Sequence, residues 1–263
     1  MLFISKFIKI LLFIPIFFIT SPLFSETSET EYGLDLKTEL TIGAVSASLF
    51  APLLFVDPGH SETKSKNDIN SLDRKFMYQY NKALDLTSTV GVVTVITMPI
   101  LSVSENIKDF DFLGTYFVMY AEAILLTTAT KDLLKRTTSR NRPYTYKGEI
   151  PSGKEDDYYL SFPSAHTAYA FLGAAFFATT FSKEFPDSKW KNPLIIGGYS
   201  LAASAGILRI ASGNHFVTDV LAGAFIGTFY GWFIPNLHLK QKNKESELLV
   251  MPAGNSVLFA VSF

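Results

Sequence analysis

An all-α bundle of about six apolar core helices is the fold this sequence predicts, and three observations carry the prediction. Of 263 residues, 48% are hydrophobic and only 18% charged, with 24 phenylalanines and a mean hydropathy of +0.23, more apolar than water-soluble domains average. Six apolar segments of 16 to 18 residues recur: Leu40 to Val56, Leu86 to Val103, Phe112 to Ala129, Ala165 to Phe181, Pro193 to Ile210 and Val220 to Pro235. The polar residues gather in the connections between them. Each segment approaches the length needed to cross a bilayer as a helix, and several lack the amphipathic stripe of a surface helix, so membrane embedding is the expectation. Their Ala, Gly, Ser and Thr content permits close helix packing, in lipid or in a soluble core.

Along the chain, residues 1–25 place Lys6 and Lys9 ahead of an apolar core and a Ser/Pro end, then turn abruptly polar. This reads as a secretory signal cleaved after Ser25 or, because Leu23 is bulky for a cleavage site, as an uncleaved anchor. Residues 26–240 form the helical domain, with the motifs described below inside 131–219, and 241–263 form a tail whose alternation around "PAGN" suggests a short β-hairpin. The stretch "DPGHSETKSKNDINSLDRK" reads as a loop, as does the long link "RTTSRNRPYTYKGEIPSGKEDDYYLSF", whose length points to function. No cysteine is present, which removes disulfides, thiolate metal sites and a cysteine nucleophile. A net charge of -1 without a long basic block leaves no nucleic-acid footprint.

Three polar islands sit at the edges of apolar segments. In "KRTTSRNRP", Lys135 and Arg142 offer a compact charge and a planar fork of donors, a pair suited to a polyanion. Alone, this stretch reads as a cytoplasmic basic loop obeying the positive-inside rule. In "FPSAHTAYAFLGAAFF", Pro163 and Ser164 mark a helix start with Ser164 as N-cap, placing the amides of Ala165 and His166 where an anion would lie. Alone, His166 reads as a structural or solvated residue. In "RIASGNHFVTD", His215 and Asp219 would share one face of a helix beginning near Asn214, the carboxylate fixing the imidazole tautomer and leaving one nitrogen free to attack. Arg209, inside an apolar segment, is costly there and by default functional. No further ligand cluster completes a metal site around His215 and Asp219. Asp109 and Asp111 in "DFDFLG" read as a solvated loop, and His60 and His238 as isolated loop or tail residues.

Taken together, Lys135 with Arg142 and Pro143, then Pro163, Ser164 and His166, then Arg209, His215 and Asp219 resemble the three-part signature of the type 2 phosphatidic acid phosphatase and vanadium haloperoxidase superfamily. The resemblance covers about Phe112 to Pro235 and departs at two positions: Ala165 stands where glycine is usual, and Leu208 where serine usually precedes the arginine. It implies a phosphatase acting on phosphate monoesters or pyrophosphates, most of all those of lipids. His215 would be the nucleophile that becomes a phosphohistidine, Asp219 its support, and His166 the acid and then base. Lys135, Arg142, Arg209 and the amides at Ser164 and Ala165 would carry the phosphoryl charge. No metal or other cofactor is implied; vanadate would act as an inhibitor, or as the cofactor in a haloperoxidase. The alternatives are a periplasmic soluble acid phosphatase on small phosphomonoesters, that haloperoxidase, or a non-catalytic envelope protein. Expected partners are a phosphorylated lipid or small phosphate ester and membrane lipids, in a bacterial-type envelope. If all six segments cross, parity turns the site towards the cytoplasm, whereas the resemblance implies a periplasmic face, so one segment would fail to span or the bundle would lie outside the membrane.

Overall fold

The computed structural model describes residues 32–56, 65–104, 106–148, 150–240 and, as backbone, 248–253 and 256–261. The N-terminal signal or anchor and His60 lie outside the described residues. Helix starts are written by their capping residues. Asp35 caps α1 (Leu36–Phe50), Asn70 caps the short α2 (Ser71–Lys75), Asn81 caps α3 (Lys82–Ile96), Asp109 caps α4 (Phe110–Thr138) and Ser164 caps α5 (Ala165–Glu184), each accepting a backbone N–H of the first turn. α6 (Lys191–Ala211) and α7 (Val217–Leu237) follow. The aspartates expected in a solvated loop therefore include the cap of α4, with Asp111 in its first turn. In the stretch expected to be a loop, α2 forms. The tail hairpin is present, with β1 (Leu248–Ala253) antiparallel to β2 (Ser256–Val261).

The six long helices alternate in direction, so the end of α4, the start of α5 and the α6–α7 turn meet at one end of the bundle. α5 is the central helix, packed against α3, α4, α6 and, most extensively, α7. Its twelve buried residues lie on every side of it, which explains why no polar face interrupts its apolar run. Four helical stretches, Lys82–Val103, Phe110–Lys147, Lys191–Ala211 and Val217–Leu237, are long and apolar enough to cross a membrane. Neither α1, of 15 residues, nor α5 is among them. On the outer surface, Phe117 and Phe225 are 74% and 72% exposed and Ile196 is 66% exposed. Burying such side chains is worth about 1.5–3 kcal/mol each, so this surface suits lipid rather than water and the bundle is membrane-associated.

The α5–α7 contact depends on missing side chains. A Cβ at Gly227 would lie 2.0 Å from the Ala168 carbonyl oxygen, and one at Gly231 or Gly223 would press equally on the α5 backbone at Leu172 or Ser164. These glycines, four apart, form the stripe of α7 that lets two backbones approach directly. Gly227→Ala is expected to destabilise the bundle by about 1–3 kcal/mol through overpacking, seen as a lowered Tm in detergent. An unchanged Tm would show that the seam opens freely.

Candidate active site

All three polar islands hang on one connecting segment, Asp157 to Ser164. Its backbone takes a hydrogen bond from Lys135 Nζ at the Leu160 carbonyl and from the His215 ring at the Ser161 carbonyl, 2.8 Å from Nδ1. At its end, the Ser164 N–H donates to the Asp219 carbonyl over 3.0 Å. Arg142 is fixed to the same segment, Nε to the Asp157 carbonyl and Nη2 to the Asp157 carboxylate, both at 3.0 Å. The long link thus acts as the frame on which α4, α5 and α7 present their polar ends.

The α6–α7 turn departs from the helix expected near Asn214. Phe216 is extended (φ -78, ψ 165) and α7 starts at Val217, so His215 stands outside the helix. Gly213 makes the turn possible: its φ is +70, and a Cβ there would fall 2.6 Å from the carbonyls of Tyr78 and Gln79. The shared-face reading of His215 and Asp219 is corrected accordingly. His215 Nδ1 is 3.6 Å from Asp219 Oδ2, beyond hydrogen-bond reach, and a carbonyl can only accept, so the Nδ1 hydrogen goes to Ser161. That bond fixes the tautomer and turns the lone pair of Nε2 towards Arg142 Nη1, 3.1 Å away. Burial, together with the cations Arg142, Arg209 and Lys135, holds the His215 pKa well below the ordinary imidazole value, so the ring is neutral in the free protein.

Asp219 instead anchors a buried network. Oδ2 accepts from Ser161 Oγ at 2.5 Å and from the Phe216 N–H at 2.9 Å, and Oδ1 accepts from Arg140 Nη1 at 2.6 Å. Arg140 lies 4.1 Å over the Phe216 ring and pairs through Nη2 with Asp73 at 2.7 Å. Asp73, on α2, also accepts from the Thr218 N–H and hydroxyl. Burial alone would raise its carboxyl, but hydrogen bonds led by Thr218 and Arg140 hold it below the ordinary carboxylate range. Asp219 therefore bears on His215 through Ser161 and the Phe216 backbone, which place the ring.

The expected anion donors divide. The Ser164 amide is spent on Asp219 and is corrected as a phosphate donor, while the Ser164 side chain caps α5, with its Oγ 3.4 Å from the Thr167 N–H. The amides of Ala165 and His166 precede the first i→i−4 bond of α5, made by Ala168 to Ser164, and stay at the positive end of the helix. Arg209, 2% exposed, pairs through Nη1 with the Asp85 carboxylate, has the Ser88 hydroxyl at 3.4 Å, and keeps a buried Nε with no hydrogen-bond partner. Asp85 also takes the Tyr80 hydroxyl at 2.9 Å and lies 3.2 Å from Lys154 Nζ. The Asp85 carboxylate thus offsets the charge of Arg209 and Lys154. Where Leu208 leaves out a serine, Ser88 of α3 brings a hydroxyl to Arg209. His166, partly exposed, contacts the Thr89 hydroxyl through Nε2 at 3.1 Å; that hydroxyl donates to the Asp85 carbonyl at 3.1 Å, leaving it to accept a proton carried on Nε2.

Asp85, Asp157, Arg140 and Asp73 were not singled out in the sequence. Asp85 had a signal, a carboxylate at the head of an apolar segment, the same cost that marks Arg209. Arg140 lay inside the first island. Asp73 had none.

One buried and one partly exposed imidazole, three buried cations and a helix start lie at one end of a membrane-associated apolar bundle, a donor set with the chemistry to hold a phosphate-like anion. Residues 116–243 match the family model described as "PAP2 superfamily". The chain is similar to lipid phosphate phosphatase 1 of Arabidopsis thaliana, 32% identical over 141 residues that make up 43% of this chain and 43% of the relative. It is also similar to a lipid A 1-phosphatase of Porphyromonas gingivalis, 38% identical over 71 residues, 27% of this chain and 15% of the relative. The chain spans less than half the length of the curated relatives it matches. Among solved structures, it aligns with a transmembrane PAP2 type phosphatidylglycerolphosphate phosphatase from Bacillus subtilis at a TM-score of 0.44 and 20% identity, over 77% of this chain and 94% of that one.

Proposed function

We propose that the protein is a phosphatase that hydrolyses phosphate monoesters or pyrophosphates of lipids through a phosphohistidine on His215. The observation that carries this reading is the state of His215: neutral, its Nδ1 hydrogen committed to the Ser161 carbonyl, its Nε2 lone pair capped only by an Arg142 N–H. A phosphate oxygen that draws the Arg142 donor to itself frees the nitrogen facing phosphorus. Nε2 then forms the P–N bond as the bond to the leaving oxygen breaks, and the leaving oxygen takes a proton from His166 in its imidazolium form, which the negative charge of the bound phosphate favours. Water attacks the phosphohistidine, gives its proton to His166, and orthophosphate leaves with His215 restored. Lys135, Arg142, Arg209 and the amides of Ala165 and His166 meet the charge on the equatorial oxygens, the electrostatic positioning that phosphoryl transfer requires. This chemistry asks for no metal.

Lipid substrates are favoured by an apolar outer surface suited to lipid, and by relatives named as lipid phosphate and lipid A phosphatases. The site end faces the periplasm, as the family resemblance implies; a reporter fused after Tyr146 and assayed from both sides tests this, and cytoplasmic activity overturns it. The decisive experiment is phosphate release by the purified chain on phosphatidate, lipid pyrophosphate, lipid A phosphate and a soluble phosphomonoester, with and without vanadate. Vanadate-sensitive turnover of a lipid, with acid-labile and base-stable phosphate on His215, is the expected result. Vanadate-dependent bromination, or inactivity on all four substrates, would overturn it.

The pH profile follows from the depressed His215 pKa. Protonation disarms the nucleophile, so the acid limb of kcat/KM due to His215 should lie below pH 6.5, the ordinary imidazole value. The same shift contributes stability that is present above the unfolded value and is lost as pH falls below it, because the unfolded chain takes up the proton first. Rate and Tm measured from pH 4 to 8 test both signs. An acid limb assigned to His215 at or above its unperturbed value would contradict the geometry.

A further inference from the structure

A second buried cluster lies at the opposite end of the bundle. His238, the C-cap residue of α7, is roughly 28 Å along that helix from Asp219 at 1.5 Å per residue. The sequence suggested an isolated tail residue, yet its side chain is 0% exposed. Nδ1 lies 2.9 Å from the Ile234 carbonyl, which can only accept, so the hydrogen of that nitrogen is fixed. Nε2 then faces two carboxylates from two other helices, Glu39 Oε1 of α1 at 3.0 Å and Glu122 Oε2 of α4 at 3.3 Å. One ligand atom from each of the three residues falls within 4.8 Å of the others. Glu122 Oε2 is shut off from solvent and accepts no hydrogen bond among the described residues.

Protons complete this arrangement only if one carboxyl is itself protonated. A neutral ring would aim its Nε2 lone pair at carboxylate oxygens. An imidazolium has a single Nε2–H to share between two carboxylates, so Glu122 must either carry a proton and donate to Glu39 or share a cation with its neighbours. A divalent cation satisfies all three donors together. Metal–ligand bonds of about 2.0–2.1 Å at tetrahedral angles set donors roughly 3.3 Å apart, close to both Nε2–oxygen distances. The bond from Nδ1–H to a backbone carbonyl is also how a metal-bound imidazole is commonly oriented.

We propose that Glu39, Glu122 and His238 bind a divalent transition-metal ion of the zinc class, and that the ion staples α1 and α4 to the end of α7. Imidazole with two carboxylates suits zinc or cobalt better than the all-oxygen cages of calcium or magnesium. The site takes no part in phosphoryl transfer and stands or falls independently of it.

The test uses full-length protein in detergent, stripped by a chelator, dialysed and titrated with Co(II), then with Zn(II) as competitor. Wild type is expected to take up one equivalent of cobalt with visible d–d absorption, to lose that absorption to zinc, and to gain several degrees of Tm with zinc. His238→Gln should lose the equivalent and the Tm gain, while His215→Ala, altered only at the phosphate site, should keep both. Should His238→Gln fail to fold, Glu39→Gln, at the partly exposed start of α1, removes a ligand in its place and is expected to lose the equivalent. Wild type with no cobalt absorption and no zinc-dependent Tm shift overturns the proposal, as does retention of both in His238→Gln or Glu39→Gln.

Discussion

Replacing His215 by alanine is expected to abolish phosphate release, lowering kcat by at least about a thousandfold, because it removes the side chain proposed to form the bond to phosphorus. The cations and the α5 amides remain, so residual turnover would come from water attacking a substrate that is still held. Binding should survive: vanadate or orthophosphate should still raise the Tm of the variant, separating lost chemistry from lost structure. The side chain is 1% exposed, and its removal leaves the Ser161 carbonyl without its donor, at about 1–3 kcal/mol. A variant that folds, binds vanadate and releases phosphate at the wild-type rate would end the phosphohistidine reading.

The second large effect is expected at Asp219. Asparagine keeps the shape but removes the charge that pairs with Arg140, whose side chain is 23% exposed while that of Asp219 is fully buried, so the cost should fall somewhat below the roughly 3–5 kcal/mol of breaking a fully buried pair. Stability and kcat should fall together in Asp219→Asn, because a single amide oxygen cannot accept both from Arg140 and from Ser161 and the Phe216 N–H, which place the His215 ring. Arg140→Gln should reproduce the pattern from the other side of the pair. A carboxylate acting directly on the ring would instead shift the pH–rate profile while Tm stayed level. Circular-dichroism melts beside kcat for the two variants distinguish these outcomes.

Helix positions and the nine motif residues were legible because they are local: an apolar run, a Pro–Ser start and a fixed spacing each speak for a few residues. Ser164 proved an N-cap, and six apolar segments proved six long helices. Partner choice was not legible. Arg209 meets Asp85 across 124 positions and Arg140 meets Asp73 across 67, pairings that only the packing of α3 on α6 and of α2 on α7 creates. His215 and Asp219 are spaced as one helix face, yet the extended Phe216 between them removes that relation. His238 looked isolated because both of its carboxylate neighbours lie far away in the chain.

The Asp85 carboxylate, seated on Arg209 and beside Lys154, changes what ligand entry means. A vacant pocket of bare cations would draw any passing sulfate or chloride; this one already carries its own counter-ion. That carboxylate offsets part of the cationic charge at this end of the bundle, so the long-range pull on an incoming anion is weakened and the ionic-strength dependence of phosphate binding should be shallow.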